Sequence, residues 1–301
     1  MFIKKDLRKI DEILTDEKDS REVLKLAKRG SEFNGSLRII CRENRLNSLG
    51  NLKILNLYDN SLTNVQGIGL LSRTPVEEIN LGSNKLSSLP VEFSRIDTLK
   101  ILWLEDNEFD QFPTCVCQLK ELKELRMSGN CIKFVPSLIS AVQNLETLSL
   151  DRNELTEFPE GILKLPELQH LWLRQNQIKE LPSDLDSMDA LITLSVSSNL
   201  LTKLPDSLAG MTRLEFLYAN GNSITMVPDS LCLLGSIKEV NLSNNKLTAL
   251  PPLWDELWGP FDASFASANK EIRINLVGNL LGTAPSKSPS KSITDENSQL
   301  L

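Results

Sequence analysis

Asparagine recurs at a nearly constant interval through most of this chain of 301 residues. The first interval is 24 residues and each of the seven that follow is 23 residues. Each asparagine is the ninth residue of a segment whose first, fourth and sixth residues are apolar, as in LETLSLDRNEL (145–155). Nine such segments in one register predict a repeat architecture, because self-similarity at a fixed period is typical of stacked solenoids. The nine asparagines are Asn60, Asn84, Asn107, Asn130, Asn153, Asn176, Asn199, Asn222 and Asn245.

Each repeat divides into a strand half and a helical half. The fourth and sixth residues flank one that points the other way, which is typical of a short strand with one buried face. From the third to the eighth repeat the second half follows the pattern LPxxLxxL, as in LPSDLDSM (181–188), which favours helical turns. One repeat cannot bury its own apolar face, so the repeats are expected to stack into a single solenoid.

These segments resemble the leucine-rich repeat family over about four-fifths of the chain. The resemblance implies an α/β fold: a right-handed leucine-rich-repeat solenoid, or horseshoe, with a parallel sheet on the concave side and helical or 3-10 turns on the convex side. We therefore expect a repeat domain over residues 36–281 with about ten to eleven repeats, the last one after an insertion at 252–270.

The N-terminal end departs from this pattern. Residues 3–30 carry apolar residues at helical spacing, so we predict a helical cap over residues 1–35 that covers the first strand. The segment 36–49 has the features of a shortened repeat, with Asn44 in the asparagine position.

The C-terminal end also loses the register. Trp254 and Trp258 are predicted to close the end of the core, because an open solenoid end needs a cover. Residues 282–301 are rich in Ser, Pro and Lys and are predicted to be disordered.

The repeated asparagines are expected to be structural. A tight turn follows each strand, and its buried N–H and C=O groups need hydrogen-bond partners. An amide side chain donates and accepts at once, so stacked asparagines can join successive turns. We interpret them as a ladder inside the solenoid and not as ligand contacts.

The sequence offers no pattern of catalytic or metal-binding residues. Its one histidine, His170, has no nucleophile motif beside it and is expected to be a contact residue. The five cysteines lack zinc-finger spacing, and Cys115 and Cys117 are expected to be buried as small apolar side chains. No phosphate loop of the P-loop or Rossmann type is present. We therefore predict a non-enzymatic protein without a cofactor.

Charge and hydropathy disfavour nucleic-acid binding and membrane insertion. The formal net charge is −7, and no run of Lys or Arg offers a basic surface for nucleic acid. No stretch of about eighteen uncharged apolar residues is present, so no membrane span is predicted. The charged N-terminal segment and the scattered cysteines favour the cytoplasm, with the nucleus as an alternative.

The third, fifth, seventh and eighth residues of each repeat are expected to point outward onto the concave face. Adjacent strands lie about 4.8 Å apart, so these residues should form rows. Trp103, Trp172 and Tyr218 recur among the fifth residues and are expected to lie along one ridge. Aromatic residues and arginine are enriched at binding hot spots. We predict a protein-binding surface formed by Trp103, Arg126, His170, Trp172, Arg174, Phe216 and Tyr218.

The 23-residue period with its LPxxLxxL half most resembles the intracellular Ras-group leucine-rich repeat proteins, of the Shoc2/Erbin-like and plant Ras-group types. The resemblance implies a signalling scaffold or adaptor whose partner is a protein, such as a small GTPase, a kinase or a phosphatase. Two alternatives stay open. In the first, the chain is a fragment or recognition module of a larger signalling enzyme. In the second, it is a phosphatase-regulatory subunit similar to nuclear proteins with a 22-residue repeat, which the period of 23 residues disfavours.

Overall fold

The computed structural model describes residues 8–14, 19–41, 45, 48–258 and 272–281. Within them, eleven short parallel strands form one open sheet in which each strand pairs with the next along the chain. The strands are β1 Val23–Lys25, β2 Ile54–Asn56, β3 Glu78–Asn80, β4 Ile101–Trp103, β5 Glu124–Arg126, β6 Thr147–Ser149, β7 His170–Trp172, β8 Thr193–Ser195, β9 Phe216–Tyr218, β10 Glu239–Asn241 and β11 Arg273–Asn275.

In the repeats of β1 to β9 the second half returns the chain through a short 3-10 turn. Three four-residue α-helices are present near the two ends of the described part of the chain: α1 Ile10–Ile13, α2 Gly30–Phe33 and α3 Trp254–Leu257, which follows β10. The expected α/β solenoid, with a parallel sheet on one side and 3-10 turns on the other, is confirmed. The 3-10 turns are Leu37–Ile39, Ile68–Arg73, Val91–Arg95, Thr114–Gln118, Ser137–Ala141, Glu160–Lys164, Leu185–Ser187, Asp206–Gly210 and Asp229–Leu233.

The core is a stack of identical layers between the sheet and the 3-10 turns. In β7 the central residue Leu171 is fully buried, while His170 and Trp172 on either side point outward and are half-buried. The following 3-10 turn buries Leu185 against the same layer. Each fully buried leucine contributes about 1.5–3 kcal/mol of transfer free energy, so the repeated layers provide most of the stability.

The turn after every strand ends with a residue in the left-handed backbone conformation. The eighth residue of each repeat has a positive φ, for example 54° at Arg152 and 54° at Gln175, and glycine occupies the same position at Gly129 and Gly221. This conformation costs a non-glycine residue about 1–2 kcal/mol. The hydrogen bonds of the asparagine that follows hold the turn in this shape.

The prediction of a continuous helix over residues 3–30 is wrong. Val23–Lys25 is a strand that pairs in parallel with β2, because Leu24 and Leu26 alternate with outward neighbours and continue the buried layer. The prediction that 36–49 holds a shortened repeat is also corrected. Leu37–Ile39 is a 3-10 turn that completes the repeat begun by β1, and Asn44 lies outside the described residues.

The C-terminal end is closed by two tryptophans, as expected. Trp254 and Trp258 are each only 2% exposed, and their rings meet edge to face with centroids 4.7 Å apart. Beyond them, β11 pairs with β10. The middle of the insertion and the tail predicted to be disordered, 259–271 and 282–301, lie outside the described residues.

Candidate protein-binding surface

The nine asparagines point into the solenoid and not toward a ligand. None of them is more than 8% exposed. In Asn153, Nδ2 donates to the carbonyl oxygens of Leu150 and Met127 at 3.0 Å each, and Oδ1 accepts the N–H of Ile132 at 3.0 Å. Since Met127 and Ile132 belong to the preceding repeat, each amide joins two turns.

The same bonding repeats along the solenoid. Every asparagine from Asn84 to Asn245 accepts a backbone N–H from the preceding repeat through Oδ1. Asn60 accepts the N–H of Arg29, which stands in the asparagine position of the first repeat. These contacts use both ends of each amide, so the asparagines have a structural role.

The aromatic residues of the concave face do not form one ridge. Trp103 lies on β4 and Trp172 on β7, three strands further along the sheet. The side chains instead gather in two groups, which we name the arginine cluster (Trp103, Glu105, Glu124 and Arg126) and the aromatic patch (His170, Trp172, Phe216 and Tyr218). The sequence placed these residues on the correct face but did not predict the division.

The polar groups of the arginine cluster pair with one another. The Trp103 Nε1–H donates to Glu124 Oε1 at 2.7 Å, and Arg126 Nε lies 2.6 Å from the same carboxylate oxygen. The Arg126 guanidinium lies over the Trp103 ring, 5.2 Å from its centroid. Burial raises the pKa of Glu105, and the Asp106 and Glu124 carboxylates add to the rise, while Arg126 opposes it. The arginine cluster therefore leaves few polar atoms available to bind a partner protein.

The aromatic patch surrounds two small residues of β8. Ser195 pairs with Trp172 on one side and Tyr218 on the other, and the two rings lie nearly parallel at 15° with centroids 6.5 Å apart. Two strand spacings are about 9.6 Å, so the rings lean toward each other and leave Ser195 only 3% exposed. Trp172 thus faces the concave side but is half-buried.

The second row of the patch repeats this arrangement. Thr193, only 5% exposed, lies between His170 and Phe216. Its hydroxyl is 3.1 Å from His170 Nδ1, and this contact holds the imidazole in place within the patch. No Asp, Glu, Lys or Arg occupies the third or fifth position on β6 to β9. The patch is therefore an apolar and aromatic area within a charged face.

Arg174 is exposed at the rim of the patch and has no described contact with the rings. Its backbone N–H donates to Asp151 Oδ1 at 2.7 Å. Burial raises the pKa of Asp151, and the bond to Arg174 opposes the rise. The sequence did not predict the small residues Thr193 and Ser195 as part of the surface, although small residues between two large ones in a row are a readable signal.

Two family models match this chain. One, described as "Leucine Rich repeats (2 copies)", matches residues 143–187, and another, described as "Leucine Rich Repeat", matches residues 236–257. A leucine-rich repeat protein of Leptospira interrogans has a similar structure, with a TM-score of 0.65 and 32% identity over 80% of this chain and 64% of that one. The chain has the fold of a leucine-rich repeat protein.

Other leucine-rich repeat structures share the fold alone. The ectodomain of the Arabidopsis thaliana receptor kinase GASSHO1/SCHENGEN3, in complex with CASPARIAN STRIP INTEGRITY FACTOR 2, superposes with a TM-score of 0.59. The match has 17% identity and covers 87% of this chain and 39% of that one.

Two curated proteins match shorter parts of the repeat region. "Putative neurotrophin receptor LTRK 1" of Lymnaea stagnalis is 35% identical over 98 residues, which is 33% of this chain and 11% of that protein. "Probable serine/threonine-protein kinase pats1" of Dictyostelium discoideum is 39% identical over 82 residues, which is 26% of this chain and 3% of that protein. The chain thus spans a small part of the length of both relatives.

The described part of the chain contains no helix long and apolar enough to cross a membrane. The same residues contain no group of three or more His, Cys, Asp or Glu side chains arranged to hold a metal ion.

Proposed function

We propose that this protein is a non-enzymatic scaffold or adaptor that binds a protein partner on its concave face. The observation that carries the proposal is the aromatic patch, where Trp172 and Tyr218 stack over Ser195. Half-buried rings held by neighbours bind at a low entropic cost, because little side-chain freedom remains to be lost. The leucine-rich repeat fold is generally a protein–protein interaction module, which supports the same conclusion.

The finer proposal is a role in intracellular signalling, in the cytoplasm or the nucleus. The 23-residue period supports a Ras-group-related type, whose expected partners are small GTPases, kinases or phosphatases. The complex of the plant receptor ectodomain with CASPARIAN STRIP INTEGRITY FACTOR 2 supports partner binding by this fold.

The first prediction is that Trp172→Ala weakens partner binding by about 2 kcal/mol or more, as expected for a hot-spot aromatic residue. The free energy of unfolding should fall by only about 1 kcal/mol, because one stacked aromatic contact is lost from a half-buried position. Binding is measured by quantitative pull-down with the intact chain, and stability by urea unfolding.

Two variants serve as controls. Lys164→Ala changes an exposed residue in a convex turn, and Phe134→Ala removes an aromatic ring that is 66% exposed outside the concave sheet. Both should keep the partner. If Trp172→Ala retains every partner that the unmodified protein captures, the concave binding surface is wrong.

A second candidate function is that of recognition module in a larger signalling enzyme. The match of 82 residues to 3% of a protein described as a probable serine/threonine kinase favours it. The intact mass of the protein isolated from its native source separates the two candidates, because a recognition module would be found within a much larger polypeptide.

A further inference from the structure

The arginine cluster and the aromatic patch use the same repeat positions on adjacent strands. In the arginine cluster, an aromatic fifth residue on β4 (Trp103) precedes a third-position glutamate on β5 (Glu124). The aromatic patch repeats this pair with Tyr218 on β9 and Glu239 on β10. Glu239 lies directly beside Phe216. Burial raises the pKa of Tyr218, and the Glu239 carboxylate adds to the rise.

The two groups differ at the fifth residue of the strand that carries the glutamate. The fifth residue of β5 is Arg126, whose guanidinium lies over the Trp103 ring and pairs with Glu124. The equivalent residue of β10 is Asn241. Its Oδ1 accepts the N–H of Ser243 at 3.1 Å, so Asn241 supports the turn and supplies no charge to the rings.

No cation lies over the Trp172 or Tyr218 ring among the residues that the structure describes. Arg273 of β11 lies on the far side of Glu239, with its Nη1 3.6 Å from Glu239 Oε2, and its charge opposes the rise in the pKa of Tyr218. Arg273 is 81% exposed and Glu239 27% exposed in that pair. An ion pair with so exposed a member contributes little and is readily exchanged for another.

We propose that the partner of the aromatic patch presents an arginine side chain, which lies against the Trp172 and Tyr218 rings with its guanidinium at Glu239. The partner's arginine would make the contacts that Arg126 makes within the arginine cluster. This inference rests on the proposed function and names the chemistry of the partner. The inference predicts that the partner segment is basic. A basic segment would also be attracted to a chain whose formal net charge is −7.

Arginine fits better than lysine. Its guanidinium is planar, stacks on aromatic faces and binds a carboxylate in the same plane. The Trp172 and Tyr218 rings lie within 15° of parallel, so they offer faces of similar orientation to one flat group. An ammonium group would pair with Glu239 but gain less from the rings.

The test uses the intact, ¹⁵N-labelled chain and the tripeptide acetyl-Gly-Arg-Gly-amide, with its citrulline and lysine counterparts. The indole N–H signal of Trp172, assigned through Trp172→Phe, reports binding. We expect the arginine tripeptide to shift this signal saturably, with a dissociation constant about tenfold lower than that of the uncharged citrulline tripeptide. The Trp103 signal should not move, because Arg126 already lies on that ring.

The decisive variant is Asn241→Arg. It places a guanidinium where Arg126 stands in the other cluster, so it should occupy the patch and abolish binding of the arginine tripeptide. Asn56→Arg is the matched control: Asn56 has the same repeat position, bonds its own turn through Oδ1 and gives the same change of net charge. This control should bind as the unmodified protein does.

Equal binding of the arginine and citrulline tripeptides, or equal loss in both variants, would overturn the inference. So would an arginine tripeptide that leaves the Trp172 signal unchanged. If that occurs while Trp172→Ala still loses its protein partner in the pull-down, only the arginine inference fails. If Trp172→Ala keeps every partner, the proposed function fails as well.

Discussion

Single side chains hold successive turns of this solenoid together. Asn153 makes hydrogen bonds to its own turn and to the preceding one. Replacement by alanine leaves the N–H of Ile132 without its partner. The carbonyl oxygens of Met127 and Leu150 each lose one of two amide donors and keep the other, from Asn130 and Asn176. The cost therefore comes mainly from buried polar groups and not from lost packing.

We expect Asn153→Ala to lower the free energy of unfolding by about 1–3 kcal/mol. Thr156→Ala, an exposed polar change in the same repeat, should cost less than about 0.5 kcal/mol. Urea unfolding of both variants gives the comparison. Equal midpoints would show that the asparagine amides do not carry the turns.

At this scale the sequence predicts the inward residues better than the outward ones. The asparagines and leucines follow from the period, because every repeat places them in the same environment. The orientation of Trp172 depends on the small Ser195 and on Tyr218 two strands away. Asp151 likewise occupies an outward seventh position, and the period alone does not predict that its carboxylate accepts the Arg174 N–H.

At the scale of elements, the first strand shows why a repeat is missed. In the repeat that begins with β1, the asparagine position is taken by Arg29, whose Nη1 donates to the Arg8 carbonyl oxygen at 2.6 Å and pairs with Glu32 at 2.9 Å. Without the asparagine the apolar residues around Leu24 fit a helix as well as a strand. Pairing with β2 decides between them, and pairing is a non-local property.

A pair of variants tests the strand. Leu24 is 1% exposed and Val23 is 40% exposed, whereas a helix would place both on its apolar face. We expect Leu24→Ala to lower the free energy of unfolding by about 2–5 kcal/mol through the cavity that it leaves. Val23→Ala should cost less than about 1 kcal/mol. Similar large losses in both variants would support the helix instead.

At the scale of the whole molecule, the buried layer of each repeat packs mainly against the layers of the neighbouring repeats. Stability in such a stack is the sum of repeat and interface contributions, and opening begins where a repeat has one neighbour. The two ends carry the covers: Ile10 and Leu14 are buried at the first repeat, and Trp254 and Trp258 at the last. Central repeats are therefore expected to open after the terminal ones.

The reactivity of the cysteine thiols tests the order in which the repeats open. Cys131 is exposed, whereas Cys115 and Cys117 are buried after β4 and Cys232 is buried after β9. Burial raises the pKa of the Cys115, Cys117 and Cys232 thiols to about 11 and that of the Cys41 thiol to about 12. At pH 8 a disulfide reagent should modify Cys131 first, because the thiolate is the reactive form.

The remaining thiols distinguish control by the thiol pKa from opening of the solenoid. If the pKa alone governs reactivity, Cys41 should react last, because its pKa is raised the most, although its side chain is less buried than those of Cys115 and Cys117. If the solenoid opens from its ends, Cys41 in the first repeat should react before the centrally placed Cys115 and Cys117. We expect the second order, measured by peptide mapping after timed alkylation, with Cys131→Ser removing the fast phase. Modification of Cys115 before Cys41 would contradict opening from the ends.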